Sequence, residues 1–362
     1  MSQYATRIDR ARERMREVGV DALLLSTGAD LPYLTGYEAM PLERLTMLVV
    51  PVEGRAELVV PRLEAPRVEV DDDAFGLQPW DETDDPIARV VALLGDARTV
   101  AIGDQTWARF LVELQHAAPA LDVRRAVEVT GPLRVVKDAA EIAALRAAAH
   151  AVDAIATEMR DRPFAGRREV EVHRELVERM LDAGHQRANF AIVAAGANAA
   201  SPHHDPSDRV IADGDVVLCD FGGTMDGYCS DITRMFVVGE PSSEVRDAYD
   251  VLVAAQEAGV QAALVGTACA DVDAAARQVI DDAGFGEFFV HRTGHGIGAE
   301  AHEDPYVVAG NDTPLQPGHA FSVEPGIYVP GRFGLRLEDI VVATADGPDR
   351  LNRAPRDLAV IA

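Results

Sequence analysis

Four acidic residues stand where strands are expected to be apolar. In VVLCDFGGTMDGYCSDITRMFVV (216–238) a glycine-rich turn separates two β-branched and aromatic arms, and Asp220 and Asp231 read as lying inside those arms. AFSVEPGIYVPGRFGLRLEDIVVAT (320–344) repeats the anomaly with Glu324 and Glu338. An unpaired carboxylate buried in a strand costs several kcal/mol. Arg234 or Arg336 would compensate one such acid; four, two in each matching hairpin, point to a shared cation. HRTGHGIG (291–298) adds His295 in a segment with three glycines, where backbone approaches a ligand closely; His291 shares it and His302 follows. Two Asp, two Glu and one His are hard oxygen donors plus one imidazole. That set suits manganese, cobalt, iron or zinc as divalent ions and is too oxygen-rich for a structural zinc site. Carboxylates bridge, so five ligands hold two ions ~3.5–4 Å apart with a shared water, and hydrolysis is the chemistry such a pair performs. SPHHDPSD (201–208) places two adjacent histidines in a proline-flanked loop, one expected to face solvent and the other to donate to a substrate carbonyl or leaving nitrogen.

The elements that must position these residues repeat. Asp138 with Glu141 has capping-box spacing, and Ile142, Leu145, Ala149, Val152 and Ile155 trace one helical face. Helices are expected over 138–160 and 168–183, then strands near 190–194, 215–221 and 230–238. Helices over 243–264 and 270–283 follow, then strands near 287–291, 320–329 and 335–343. Such a duplication sets two hairpins against each other about a pseudo-twofold axis. Ahead of it, Ile8, Met15 and Val18 form one helical face ended at Gly19. Segments 21–26, 45–51, 57–61 and 99–104 read as strands of a small mixed sheet, and VEVDDDAFGLQPWDETDDP (68–86) as a loop. The expected division is 1–133, for architecture, oligomerisation or substrate gating, and 134–362, carrying the chemistry.

Composition sets the outer limits. The chain has 362 residues, 48% hydrophobic, enough for two packed domains. No stretch has the ~18 apolar residues of a membrane span, and the charged N-terminus lacks the apolar core of a secretory signal. Net charge is −26, which repels phosphate backbones and anionic lipid, so neither nucleic acid nor membrane is an expected partner. Three cysteines make no disulfide framework; Cys219 and Cys229, flanking the ligand strands, read as packing in a reducing cytoplasm. Lys137 is the only lysine among 34 basic residues, a bias of a GC-rich genome or of salt adaptation.

VVLCDFGG, SDITRMF, HRTGHGIG, SVEPGIYV and LRLEDIVV occur in the order and spacing of the pita-bread metallopeptidases, which the chain resembles from about residue 134 onward. LPYLTGYEAMPLERLTMLVVP (31–51) is similar to the strand–loop–strand of creatinase-type N-terminal domains. The implied fold is a small mixed α/β domain followed by a pita-bread α+β domain. The implied activity is hydrolysis of the bond preceding proline, as an Xaa-Pro aminopeptidase or dipeptidase. On matching positions, Asp220 binds one ion, Asp231 and Glu338 bridge both, and His295 and Glu324 bind the other, with manganese expected first. A metal-bridging hydroxide is the implied nucleophile, and Glu324 handles the water proton. His203 matches the substrate-facing histidine of a Pro-His loop, with His204 the less favoured neighbour, and His302 one that assists the tetrahedral intermediate. His291, Tyr328 and Arg336 match positions beside the ligands or on the substrate side. The resemblance implies small peptide substrates and a cytoplasmic homodimer. Ala299 and Ala301, where bulkier residues are common, are expected to widen the site. The alternatives are a non-peptidase amide hydrolase of the ectoine-hydrolase kind and an inactive binding protein, the latter disfavoured by the intact ligand set.

Overall fold

A computed structural model describes residues 2–362, which divide into two compact units, one up to residue 134 and one over 135–362. Among the described residues no helix is long and apolar enough to cross a membrane.

The first unit runs α1 (Gln3–Val18), β1 (Ala22–Leu25), α2 (Asp30–Thr35), β2 (Met47–Pro51), β3 (Ala56–Pro61), β4 (Phe75–Trp80), α3 (Pro86–Leu94), β5 (Thr99–Ile102), α4 (Ala108–Ala117), β6 (Asp122–Arg125) and α5 (Val127–Val135), whose last residue belongs to the second unit. Ile8 and Met15 are buried under α1, which ends at Gly19 with a left-handed φ of 71°. The strands form one mixed sheet in the order β4-β3-β2-β1-β5-β6. Segment 68–86, expected to be a loop, contributes β4 at a sheet edge. Pro79 is tolerated there because an edge strand has unpaired amide positions to spare.

The second unit continues with α6 (Ala139–Met159), α7 (Glu169–Asp182), β7 (Arg187–Ala195), β8 (Val216–Met225), β9 (Tyr228–Cys229) and β10 (Ile232–Val238). After these come α8 (Ser243–Ala262), α9 (Cys269–Asp282), β11 (Gly294–Gly296), β12 (Glu303–Val307), β13 (Ala320–Val323), β14 (Gly326–Val329), β15 (Phe333–Arg336), β16 (Asp339–Thr344), β17 (Gly347–Arg350) and β18 (Ala359–Ile361). Two helices followed by strands thus occur twice. The capping box forms: Asp138 accepts from the Ala140 and Glu141 amides, and Glu141 accepts from the Asp138 amide at 2.8 Å. Leu145, Ala149, Val152 and Ile155 are buried beneath α6. Segment 287–291 is not a strand; a 3-10 turn at Gly286–Phe288 takes up its start, and the strand of this region is β11.

The strands form two sheets, β18-β10-β8-β7 and β12-β11-β13-β16-β17, with β14–β15 as a separate ribbon. The second hairpin is therefore split, its base in one sheet and its tip a free-standing pair. The two halves meet where Thr233 bridges Glu338. Only Asp220 lies within a strand. Asp231 immediately precedes β10, Glu324 follows β13 just before Pro325, and Glu338 sits between β15 and β16. The expectation of acids inside continuous arms is corrected accordingly. At a break, the side chain is released from strict alternation, so acids from two sheets turn towards one point.

Candidate metal centre and substrate cleft

Asp220, Asp231, His295, Glu324 and Glu338 all line one cleft of about 680 Å³, together with His203, His291, Arg292, His302 and Arg336. Ligand atoms of Asp231, His295 and Glu338 lie within 4.8 Å of one another. Glu324 joins them through His295, whose Nε2 is 3.2 Å from Glu324 Oε1 and 3.8 Å from Asp231 Oδ2. The His295 Nδ1 donates to the Gly296 carbonyl at 3.1 Å, so in the neutral ring Nε2 keeps its lone pair turned towards the carboxylates. Glycine is required on both sides of His295. A Cβ at Gly294 would meet the Ser322 carbonyl oxygen at 1.9 Å, and one at Gly296 the Asp304 carbonyl at 2.2 Å.

Burial pushes the Asp231 carboxyl well above the usual carboxylate range, and the charges of Glu338, Asp220 and Glu324 push it further. Glu338 is raised in the same way, by burial and then by Glu324 and Asp220. Asp220 is raised by burial against the opposing pull of Arg336. Glu324 alone goes down, to about 2, because the hydrogen bond and charge of His295 outweigh its burial. Asp220 Oδ1 and Asp231 Oδ1 are buried with no hydrogen-bond partner among the described residues. Four converging carboxylates, two of them with an orphaned oxygen, fit bound divalent cations, which replace mutual repulsion by shared attraction.

Arginine pairing explains part of the cluster. Arg336 contacts Asp220 Oδ2 and donates to Thr233 Oγ1 at 3.2 Å and to the Tyr328 hydroxyl at 2.8 Å. The Tyr328 hydroxyl in turn donates to His291 Nε2 at 2.8 Å, since His291 Nδ1 donates to the Arg292 carbonyl. Arg234 pairs with Asp339 at 2.6 Å and with none of the four cleft acids. The His302 ring lies tilted against that of His295, with centroids 3.8 Å apart and planes 38° from parallel. Desolvation, then the His295 charge, lowers its pKa to about 4. His203 lines the cleft, whereas His204 turns away to donate to Glu169 Oε2 at 3.0 Å. Neither Ala299 nor Ala301 is among the lining residues. Ala301 packs against the Leu145 and Ile297 core, so a small side chain there widens nothing. Cys219 and Cys229 are buried with thiols pushed up by burial, consistent with packing.

The turn carrying His302 is pinned by the only lysine. Lys137 Nζ meets Glu303 Oε1 at 2.5 Å with the two side chains 1% and 8% exposed, and the other Glu303 oxygen accepts from the Glu300 amide at 3.4 Å. A Cβ at Gly298 would lie 2.3 Å from Glu303 Oε1 and 2.9 Å from Lys137 Cε, so the pair fills its cradle.

Two cleft-forming residues escape the sequence reading. Thr233 donates to Glu338 Oε2 at 2.7 Å, and its period-two spacing from Asp231 was the available signal. Arg292 lies inside HRTGHGIG but is marked by no spacing rule. Its guanidinium stacks on the Tyr306 ring at 4.4 Å and, among the described residues, has no hydrogen-bond or ion-pair partner.

Residues 143–345 match the model of metallopeptidase family M24, and residues 7–136 that of the creatinase/prolidase N-terminal domain. The chain is 44% identical to the probable dipeptidase PepE of Mycobacterium tuberculosis, over 99% of this chain and 96% of that protein. Identity to the Xaa-Pro dipeptidase of Lactobacillus helveticus is 34%, over 98% of each. The solved dipeptidase PepE from Mycobacterium ulcerans is similar with a TM-score of 0.91 at 43% identity, covering 99% of this chain and 98% of that one.

Proposed function

The chain belongs to metallopeptidase family M24, with a creatinase-type N-terminal domain ahead of a pita-bread catalytic domain, and from that premise we propose that it is an Xaa-Pro dipeptidase. One convergence carries the reading: five metal-donor side chains face the same cleft as Arg292, whose guanidinium has no hydrogen-bond or ion-pair partner among the described residues. The relatives named dipeptidase and Xaa-Pro dipeptidase support it.

Asp220, Asp231, His295, Glu324 and Glu338 would hold two divalent ions, manganese first among the candidates, with Asp231 and Glu338 shared between them. When bound, such a pair lowers the pKa of a shared water and polarises a carbonyl. Glu324 accepts the proton of the attacking water. His203 donates to the substrate carbonyl, and His302 steadies the oxygen that gains charge as the amide carbon becomes tetrahedral. His302 would also supply the proton that the prolyl nitrogen needs, since that nitrogen carries no hydrogen in the intact amide. Arg292 takes the terminal carboxylate, which in an Xaa-Pro dipeptide is two bonds from that nitrogen. Its stacking on Tyr306 orients the donor fork before substrate arrives. A homodimer in the cytoplasm belongs to the same reading.

The test compares Xaa-Pro, Xaa-Pro-amide and Xaa-Pro-Yaa substrates. Hydrogen bonds to a charged group contribute ~1.5–3 kcal/mol, so masking the carboxylate should lower kcat/KM by roughly 10–100-fold. Arg292→Met should erase that discrimination. Equal turnover of dipeptide and tripeptide would replace this reading by an aminopeptidase, and turnover confined to ectoine-like amides by the non-peptidase alternative.

A further inference from the structure

Glu169 takes no part in the chemistry above, yet its carboxylate is the most heavily bonded group near the cleft. It opens α7 and has no solvent exposure. Oε1 accepts from the Ala195 amide at 2.7 Å and from Asn198 Nδ2 at 3.0 Å. Oε2 accepts from the Ser207 amide at 3.0 Å, the Ser207 hydroxyl at 2.6 Å and His204 Nε2 at 3.0 Å. All five donors belong to 195–207, the segment whose Pro202 and His203 line the cleft. On its other side, the Pro202 carbonyl accepts from Arg336 at 3.2 Å, and the Ala199 carbonyl oxygen lies 1.7 Å from where a Gly334 Cβ would be. The segment is thus held between α7 and β15, and His203 has no hydrogen-bond partner among the described residues.

We propose that Glu169 is the positioning residue for His203, its buried carboxylate locking the 195–207 loop so that His203 alone is presented to substrate. The proposal rests on the reading of His203 as a substrate donor. It also assigns a purpose to the paired histidines of SPHHDPSD: the second is a tether for the first. A loop with five donors turned on one buried charge cannot shift without leaving that charge unsatisfied, so the donor's position is fixed before substrate binds.

The variant is Glu169→Gln, nearly isosteric. Either orientation of the new amide sets an N–H against the backbone N–H of Ala195 or of Ser207, and a backbone N–H cannot become an acceptor. We expect kcat/KM to fall roughly 10–100-fold, chiefly in kcat, with metal content unchanged and faster hydrogen exchange at the Ala195 and Ser207 amides. The deciding measurement is a double-mutant cycle with His203→Ala, itself expected to cost about 10²-fold. If Glu169 acts through His203, adding Glu169→Gln to His203→Ala changes kcat/KM by less than about 2-fold. Losses that multiply, or an unaltered kcat/KM in Glu169→Gln alone, would overturn the proposal. A silent His203→Ala would instead bring down the reading of His203 on which it stands. Should Glu169→Gln fail to fold, His204→Ala removes one tether and serves the same cycle. Its loss, well under 10-fold, should vanish in the His203→Ala background.

Discussion

Replacing Lys137 by methionine removes one partner of a buried ion pair and takes from the Glu303 carboxylate the cation it meets at 2.5 Å. Both side chains are almost fully withdrawn from water, so solvent cannot take over the pairing. Loss of one partner in such a setting costs about 3–5 kcal/mol, and at about 2–4 °C per kcal/mol for a unit of this size the catalytic transition should fall by roughly 6–20 °C. Replacing both partners, Lys137→Met with Glu303→Leu, should recover most of that loss, because no charge is then stranded. Lys137→Arg keeps the charge but adds bulk where the lysine stem already lies against Gly298, and overpacking of this kind costs about 1–3 kcal/mol. Calorimetry at fixed metal concentration is the suitable assay. Tryptophan fluorescence is not, since Trp80 and Trp107 both belong to the first unit. A Lys137→Met transition within about 1 kcal/mol of wild type would refute the argument, as would an arginine variant as stable as the parent.

Dialysis against a chelator should abolish peptidase activity, and manganese or cobalt should restore it; full activity in protein shown by elemental analysis to be metal-free would end the metallopeptidase reading. Asp231→Ala or Glu338→Ala should leave the fold largely intact, drop bound metal below about one ion per chain and stop turnover, whereas two retained ions would mean the bridging ligands are misassigned. The Glu257 carboxyl is held down to about 2, first by its hydrogen bond from Arg350 and then by Gln261 and Arg356. Its stabilising share is complete above the ordinary value of 4.5 and disappears as pH falls from there towards 2. Urea midpoints of wild type and Glu257→Gln should therefore differ near neutrality and draw together as pH falls from 4.5 to about 2, and a gap of constant size would refute the assignment.

Long-period signals were readable without coordinates. The buried face of α6 and its capping box follow from spacing alone, as does the doubled order of helices and strands. The four cleft acids stood out because carboxylates in apolar runs are costly enough to demand a reason, and His295 because of the glycines around it. Strand boundaries were less so. Glu324-Pro325 interrupts β13 because proline offers no amide to a ladder, yet a run such as AFSVEPGIYV still reads as one strand. The edge strand β4 was hidden by acidic neighbours and by Pro79. Alternation predicted that His203 and His204 diverge, and they do, but nothing local indicated where His204 would go. Glu169 was invisible for a related reason: an acid in the first turn of a helix is ordinarily a solvated partner of the helix dipole. Only tertiary structure brings five donors to it from a segment some 26 to 38 residues onward.

The sole lysine sits three residues past the junction at 134/135. A protease that cuts after lysine therefore has one peptide bond to attack, between Lys137 and Asp138, and cutting it separates the first unit, with the first three residues of the second, from the rest of the chain. In the native chain that bond is guarded, since the side chain such an enzyme must seize is locked against Glu303 and the Lys137 amide donates to the Gly318 carbonyl at 2.9 Å. Cleavage into residues 1–137 and 138–362 thus requires the 298–303 turn to open first. Brief exposure to such a protease becomes a clock for that opening, read as two bands on a gel, without any label added to the molecule.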